Sequence, residues 1–167
     1  MKMRHANARP FLPATVWLPM ASVLCLGSGL ASGGDVGGYI NVFPDDLVWR
    51  NSPSIPATIQ LAKVYGDPAL PGPYIFRARL AAGTRLLPHR HPDERWVTVL
   101  SGTYQAAVGP QYDLDAITAY PTGSFYVTGQ NLPHYSYSKT DVLIQEQGIG
   151  PSGIEYVSAA DDPRNAR

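Results

Sequence analysis

Two histidines one residue apart, His89 and His91, mark the most chemically suggestive stretch of this chain, GTRLLPHRHPDERWVTVLSG at residues 83–102. Turn residues bound the stretch and its composition is extended, and strand side chains two apart share a face. Both imidazoles therefore point the same way, with Asp93 and Glu94 close behind. A third histidine, His134, ends GSFYVTGQNLPH at residues 123–134. Imidazoles converging with a carboxylate form a ligand set for a divalent transition metal: Fe, Mn, Ni, Cu or Zn. Positions beyond the protein ligands would then be open to water, oxygen or substrate. An HxH pair alone also fits histidines hydrogen-bonded in a core, so the spacing around it matters.

The elements that must position these residues are strands. Tyr74, Phe76, Ala78 and Leu80 alternate with Ile75, Arg77 and Arg79, the two-residue period of a half-buried strand. Further short runs at 57–65, 86–91, 96–100, 103–108, 124–128, 133–138, 142–147 and 154–158 are separated by Gly, Pro, Asn and Asp turns. Residues 112–119 are ambiguous. After the leader, no stretch of ten residues shows helical periodicity. Turns about every 8–12 residues predict an all-β antiparallel sandwich or barrel. The expected organisation is a leader at 1–31, an N-terminal extension or edge segment at 32–56, a barrel at 57–158 and a flexible polar tail at 159–167.

The spacing is informative. Gly83 is followed by five residues, His89, one residue, His91, then Glu94 and Gly102; after twenty intervening residues come Gly123, Gly129, Asn131 and His134. This paired pattern resembles the two motifs of the cupin superfamily, small jelly-roll barrels (double-stranded β-helices) that hold a metal with three histidines and a glutamate. The VTVLSGT run at 97–103 and the GIGP run at 148–151 are similar to those of small single-domain cupins, the second with no evident mechanism. The resemblance implies His89, His91 and His134 as metal ligands, with Glu94 as the fourth. Glu94, however, follows His91 by three residues rather than the usual four, and Arg95 holds the expected place. A regular strand would put Arg95, Val97 and Val99 on the histidine face; a bulge near Pro92 or Arg95 would turn Glu94 inward. In the second motif Gly129 and Asn131 stand for the usual proline and glycine, and both tolerate positive φ. Ser138 replaces a frequent asparagine.

Aromatic residues crowd these motifs. Trp96, Tyr104 and Tyr126, with Gln145 and Gln147 on one face of a late strand, are the candidate substrate pocket. The same residues would also suit an ordinary sheet with a solvated face.

Residues 1–9 carry Lys2, Arg4 and Arg9 and no acid, residues 11–30 are mostly apolar, and small residues follow. That order predicts a cleaved signal peptide and an exported, periplasmic or secreted protein. A retained anchor is the rival, since about 20 apolar residues span a bilayer, but Pro13, Pro19, Gly27 and Gly29 interrupt the run. No stable membrane anchor is expected after cleavage. The sole cysteine, Cys25, lies in the leader, which excludes disulfide and thiolate chemistry from the rest. Beyond residue 31 ten basic residues face thirteen acidic ones, a formal charge of −3, and no basic patch suggests nucleic acid. There is no GxSxG elbow, phosphate-binding glycine loop or HExxH.

The resemblance implies a metal-dependent enzyme of dioxygenase type acting on a small organic molecule, and a possible homodimer. A non-catalytic periplasmic module that binds a small ligand or a metal is the alternative, because no general base separate from the ligands stands out.

Overall fold

The computed structural model describes residues 38–165. The leader, with both of its readings, lies outside that range. Ten strands follow one another: β1 Ile59–Tyr65, β2 Gly72–Leu80, β3 Thr84–Arg90, β4 Arg95–Ser101, β5 Thr103–Val108, β6 Thr118–Pro121, β7 Phe125–Thr128, β8 His134–Ser138, β9 Val142–Gly150 and β10 Glu155–Tyr156. They form two five-stranded sheets, ordered β1-β2-β9-β4-β7 and β10-β3-β8-β5-β6, and every pairing is antiparallel. Neighbours such as β4 and β9, or β3 and β8, are far apart in sequence, as a jelly roll requires. Among the described residues no helix is long and apolar enough to cross a membrane.

Alternation explains the core. Tyr74, Phe76, Ala78 and Leu80 of β2 are buried, as their period predicts, and they meet Val97 and Val99 of β4, Ile144 of β9, and Tyr104 and Ala106 of β5. Full burial of a large apolar side chain contributes roughly 1.5–3 kcal/mol, so this interior is the main support of the barrel. Of the ambiguous residues 112–119 only Thr118 and Ala119 join a strand, the short edge strand β6; the residues before them form turns and loop. β9 runs three residues further than expected, through the GIG sequence. The last described residues, part of the segment 159–167 expected as a flexible tail, form two 3-10 turns at Ala159–Asp161 and Pro163–Asn165. Arg164 ties this end down through Asp162 and the Ile154 carbonyl.

Two glycines of the 148–153 segment have steric causes. A Cβ on Gly148 would lie 2.8 Å from the Glu94 carbonyl oxygen and 2.9 Å from the Asp93 carboxylate. One on Gly150 would lie 2.2 Å from the Leu70 carbonyl oxygen, whereas one on Gly153 would meet nothing within 4 Å. The chain then turns through a cis Gly150–Pro151 bond and brings Ser152 and Gly153 back over the barrel mouth. Gly150→Ala should therefore destabilise the protein by about 1–3 kcal/mol, and Gly153→Ala should change stability by less than about 0.5 kcal/mol, as read by urea denaturation.

Candidate metal centre

β3 and β8 lie side by side with His89 directly opposite His134. The pairing slips between Leu86 and His89, where Pro88 has no N–H to donate. The Leu87 carbonyl accepts from His89 Nδ1 at 2.8 Å. His134 repeats the arrangement with the Leu132 carbonyl at 2.9 Å, and His91 Nδ1 donates to the Gly153 carbonyl at 2.5 Å. A carbonyl can only accept, so each ring carries its proton on Nδ1 and turns an unprotonated Nε2 away from it.

The turn that presents His134 is fastened to the strand that presents His91. Asn131, left-handed at φ 56°, donates its N–H to the His91 carbonyl at 2.8 Å, and the Gln130 amide reaches the Pro92 carbonyl. The three imidazoles pack with ring centroids 4.2–5.1 Å apart, and one potential ligand atom from each lies within 4.8 Å of the others. Donors on one ion with bonds of about 2.0–2.1 Å lie roughly 3–3.4 Å apart, so the three rings are a candidate site for a single metal that would draw them slightly closer. All three rings are buried. Burial is the main reason that His89 is pushed down to about 3, with His134 beside it adding to the shift. Burial likewise lowers His91 and His134. The rings are therefore neutral at ordinary pH, the form a metal requires.

The histidines line one side of a cavity of about 410 Å³ between the sheets. Its walls are mostly apolar and include Ile59, Phe76, Leu86, Val97 and Ile144, with Tyr104 and Tyr126 among them. Burial raises Tyr104 to about 12 and Tyr126 well above its usual value, so both phenols keep their protons.

No family model matches the sequence, and no curated protein matches it either. Solved structures do match. The polyketide cyclase RemF of Streptomyces resistomycificus aligns with a TM-score of 0.62 at 15% identity, covering 75% of this chain and 90% of the cyclase. An RmlC-like cupin of Shewanella frigidimarina NCIMB 400 aligns at 0.53 and 12% identity, over 65% of this chain and 87% of its own. The chain has the cupin fold. A salicylate 1,2-dioxygenase of Pseudaminobacter salicylatoxidans aligns at 0.50 and 14% identity, over 60% of this chain but only 30% of the dioxygenase. The chain thus spans less than a third of that enzyme's length.

One expected ligand does not join the cluster. β4 pairs regularly with β9 from Arg95 to Val99, and its bulge falls between Val99 and Ser101, past the point where it could re-aim Glu94. Glu94 is consequently exposed and accepts a hydrogen bond from Trp96 Nε1 at 2.9 Å. Trp96 shares that outer face, away from the cavity. So do Gln145 and Gln147, which sit across from Thr98 and Trp96; Gln145 is held by Arg77.

Arg95 faces inward instead, and with it a group that sequence reasoning missed. Glu146, between the two glutamines and therefore on the opposite face, lines the cavity and accepts from Arg95 Nη1 at 2.8 Å. The signal was present: assigning Gln145 and Gln147 to one face assigns Glu146 to the other. Arg95 Nη2 donates to Ser152 Oγ at 2.7 Å, and Nε stands 3.8 Å from Asp93 Oδ2. Ser152 Oγ donates to Asp93 Oδ1 at 2.6 Å, and Tyr74 makes a short bond to the other carboxylate oxygen. The close approach at Gly148 and the return of the chain through Ser152 and Gly153 build this network and the acceptor for His91. That is the mechanism of the GIGP run.

A depressed histidine pKa makes the folded state bind fewer protons than the unfolded chain, whose histidines titrate near 6.5. The stabilisation is full above that value and is lost as pH falls toward the folded value of about 3 for His89. The thermal midpoint of the metal-free protein should fall by at least about 5 °C from pH 7 to pH 4.5, and His89→Gln should flatten that slope in calorimetric scans.

Proposed function

We propose that this cupin binds one divalent transition metal through His89, His91 and His134, and that the loaded cavity carries out dioxygenase-type chemistry on a small organic molecule. The observation that carries the reading is the cluster of three imidazoles whose Nδ1 protons are taken by backbone acceptors, leaving Nε2 free on each, with no carboxylate in the cluster among the described residues. A metal held by three imidazoles keeps positions for exogenous ligands and supplies Lewis acidity or oxygen chemistry when bound. Imidazole donors suit Fe, Mn, Ni, Cu and Zn alike. The chain's own contribution is to orient the rings through the Leu87, Leu132 and Gly153 carbonyls, to exclude bulk water with apolar walls, and to offer protonated Tyr104 and Tyr126 as hydrogen-bond donors. The likeness to a salicylate dioxygenase supports the oxygenase reading. The basic, then apolar, leader supports export.

A non-catalytic small-ligand or metal-binding module is favoured by one observation: Glu146, the carboxylate in the cavity wall, is already engaged by Arg95. Oxygen uptake separates the two readings. Untagged protein should contain about one equivalent of metal for its single site; His89→Ala and His134→Ala should lower affinity more than about 100-fold, beyond the loss typical of supporting residues, while Glu94→Ala should retain the metal. Metal analysis below about a tenth of an equivalent, with no uptake of any of the five metals, would end the proposal. With metal present, oxygen consumption across catechols, flavonols and diketones identifies the enzyme, and tight ligand binding with no consumption identifies the module.

A further inference from the structure

We propose that the cavity selects uncharged, hydroxyl-bearing molecules over carboxylates, and that Glu146 is the residue that sets this preference by accepting the ligand's hydroxyl hydrogen bond. The inference deepens the reading of the cavity as the ligand site and concerns the charges that the chain itself contributes, which a bound dication would oppose, so it is tested on the metal-free protein.

Two cations line the cavity among the described residues, Lys63 and Arg95, and both are already paired. Lys63 binds Asp67 at 2.8 Å at the exposed rim. Arg95 is held between two carboxylates: Glu146 at 2.8 Å and Asp93, whose nearer oxygen is 3.8 Å from Nε. The side chains of Arg95 and Glu146 are only 12% and 16% exposed, and that of Asp93 is 5% exposed. The fixed groups of this inner end thus carry one positive and two negative charges. A ligand carboxylate would lose its hydration against apolar walls, find no unpaired cation, and stand near the Glu146 carboxylate. Low polarity strengthens that repulsion.

A ligand hydroxyl meets the opposite situation. Arg95 Nη1 engages Glu146 Oε2, and a carboxylate has about four lone-pair sites, so Glu146 retains acceptor capacity toward the cavity. Tyr104 and Tyr126, protonated, on the same cavity wall and hydrogen-bonded to each other, leave one hydroxyl proton to complement it as a donor for a ligand carbonyl. The complementary molecule is apolar, of one or two rings, and carries adjacent hydroxyl and carbonyl oxygens without a formal charge. A buried site equipped to hydrogen-bond a hydroxyl also rejects analogues that lack one.

The test uses a matched pair, 2-hydroxyacetophenone and salicylate, which differ by acetyl against carboxylate. Calorimetric titration of the full chain after metal removal avoids chelation by salicylate; zinc uptake, measured separately, reports on the metal reading alone. The expected result is at least tenfold tighter binding of the ketone at neutral pH. Glu146→Gln removes the repelling charge and frees Arg95, so the preference should shrink at least tenfold, mainly through tighter salicylate binding. Arg95→Gln should weaken salicylate further. Equal or tighter salicylate binding by the unsubstituted protein, no measurable binding of either compound, or an unchanged ratio in folded Glu146→Gln would each overturn the proposal. If Glu146→Gln does not fold, the ratio in the unsubstituted protein decides. Loss of zinc uptake with the ligand preference intact would sink the metal reading and leave this one standing.

Discussion

A ring nitrogen taken out of water must find a partner or cost free energy, and three imidazoles in one barrel present six such nitrogens. Half of that requirement is met by the backbone. The Leu87, Leu132 and Gly153 carbonyls each take an Nδ1 proton, which fixes the tautomer of every ring with groups that any sequence could supply at those positions. The other three nitrogens keep their lone pairs, and the three neutral rings are grouped within 4.8 Å of one another by their potential ligand atoms. Much of the neighbouring structure follows from keeping that arrangement. Pro88 breaks the β3 ladder where His89 needs a carbonyl, Asn131 takes up a left-handed turn to close the His134 strand on His91, and Gly148 lets β9 approach the Asp93 cluster.

The same accounting explains Arg95. A guanidinium in the barrel wall needs acceptors, and it has Glu146, Ser152 and the Gly153 carbonyl, with Asp93 nearby. Removing one partner of such a pair typically costs 3–5 kcal/mol, so the network is rigid in the sense that its members stand or fall together. Arg95 thus holds the place on the strand where the sequence resemblance implies a glutamate. The cluster of potential ligands consists of three imidazoles, and the Asp93 and Glu146 carboxylates are engaged with Arg95 at its flank.

The barrel and the three histidines were legible because they rest on period-two alternation and on fixed spacings, which are properties of local sequence. The orientation of Glu94 was not. It depends on where a single bulge falls in β4, and that is set by pairing with β9, some fifty residues away; the bulge lies beyond Val99. Glu146 was hidden for a different reason: its neighbours Gln145 and Gln147 look more like ligand-binding side chains, although the alternation with Val142 and Ile144 puts Glu146 on the inner face. Trp96 was misplaced by the same one-residue phase. The role of residues 148–153 could not be read from sequence, because it consists of close approaches and hydrogen bonds to residues far away along the chain, Asp93, Arg95 and His91 among them.

The turn carrying Ser152 and Gly153 does two jobs with adjacent residues. It forms part of the cavity wall, and it also supplies the carbonyl that orients His91 and the hydroxyl that anchors Asp93. The shape of the cavity and the orientation of His91 are therefore mechanically joined. A change that widens the cavity here also moves the acceptor that orients one imidazole. Reshaping of this cavity would have the freer path from β1, where Leu61 lines the wall and takes no part in the His91 and Asp93 contacts.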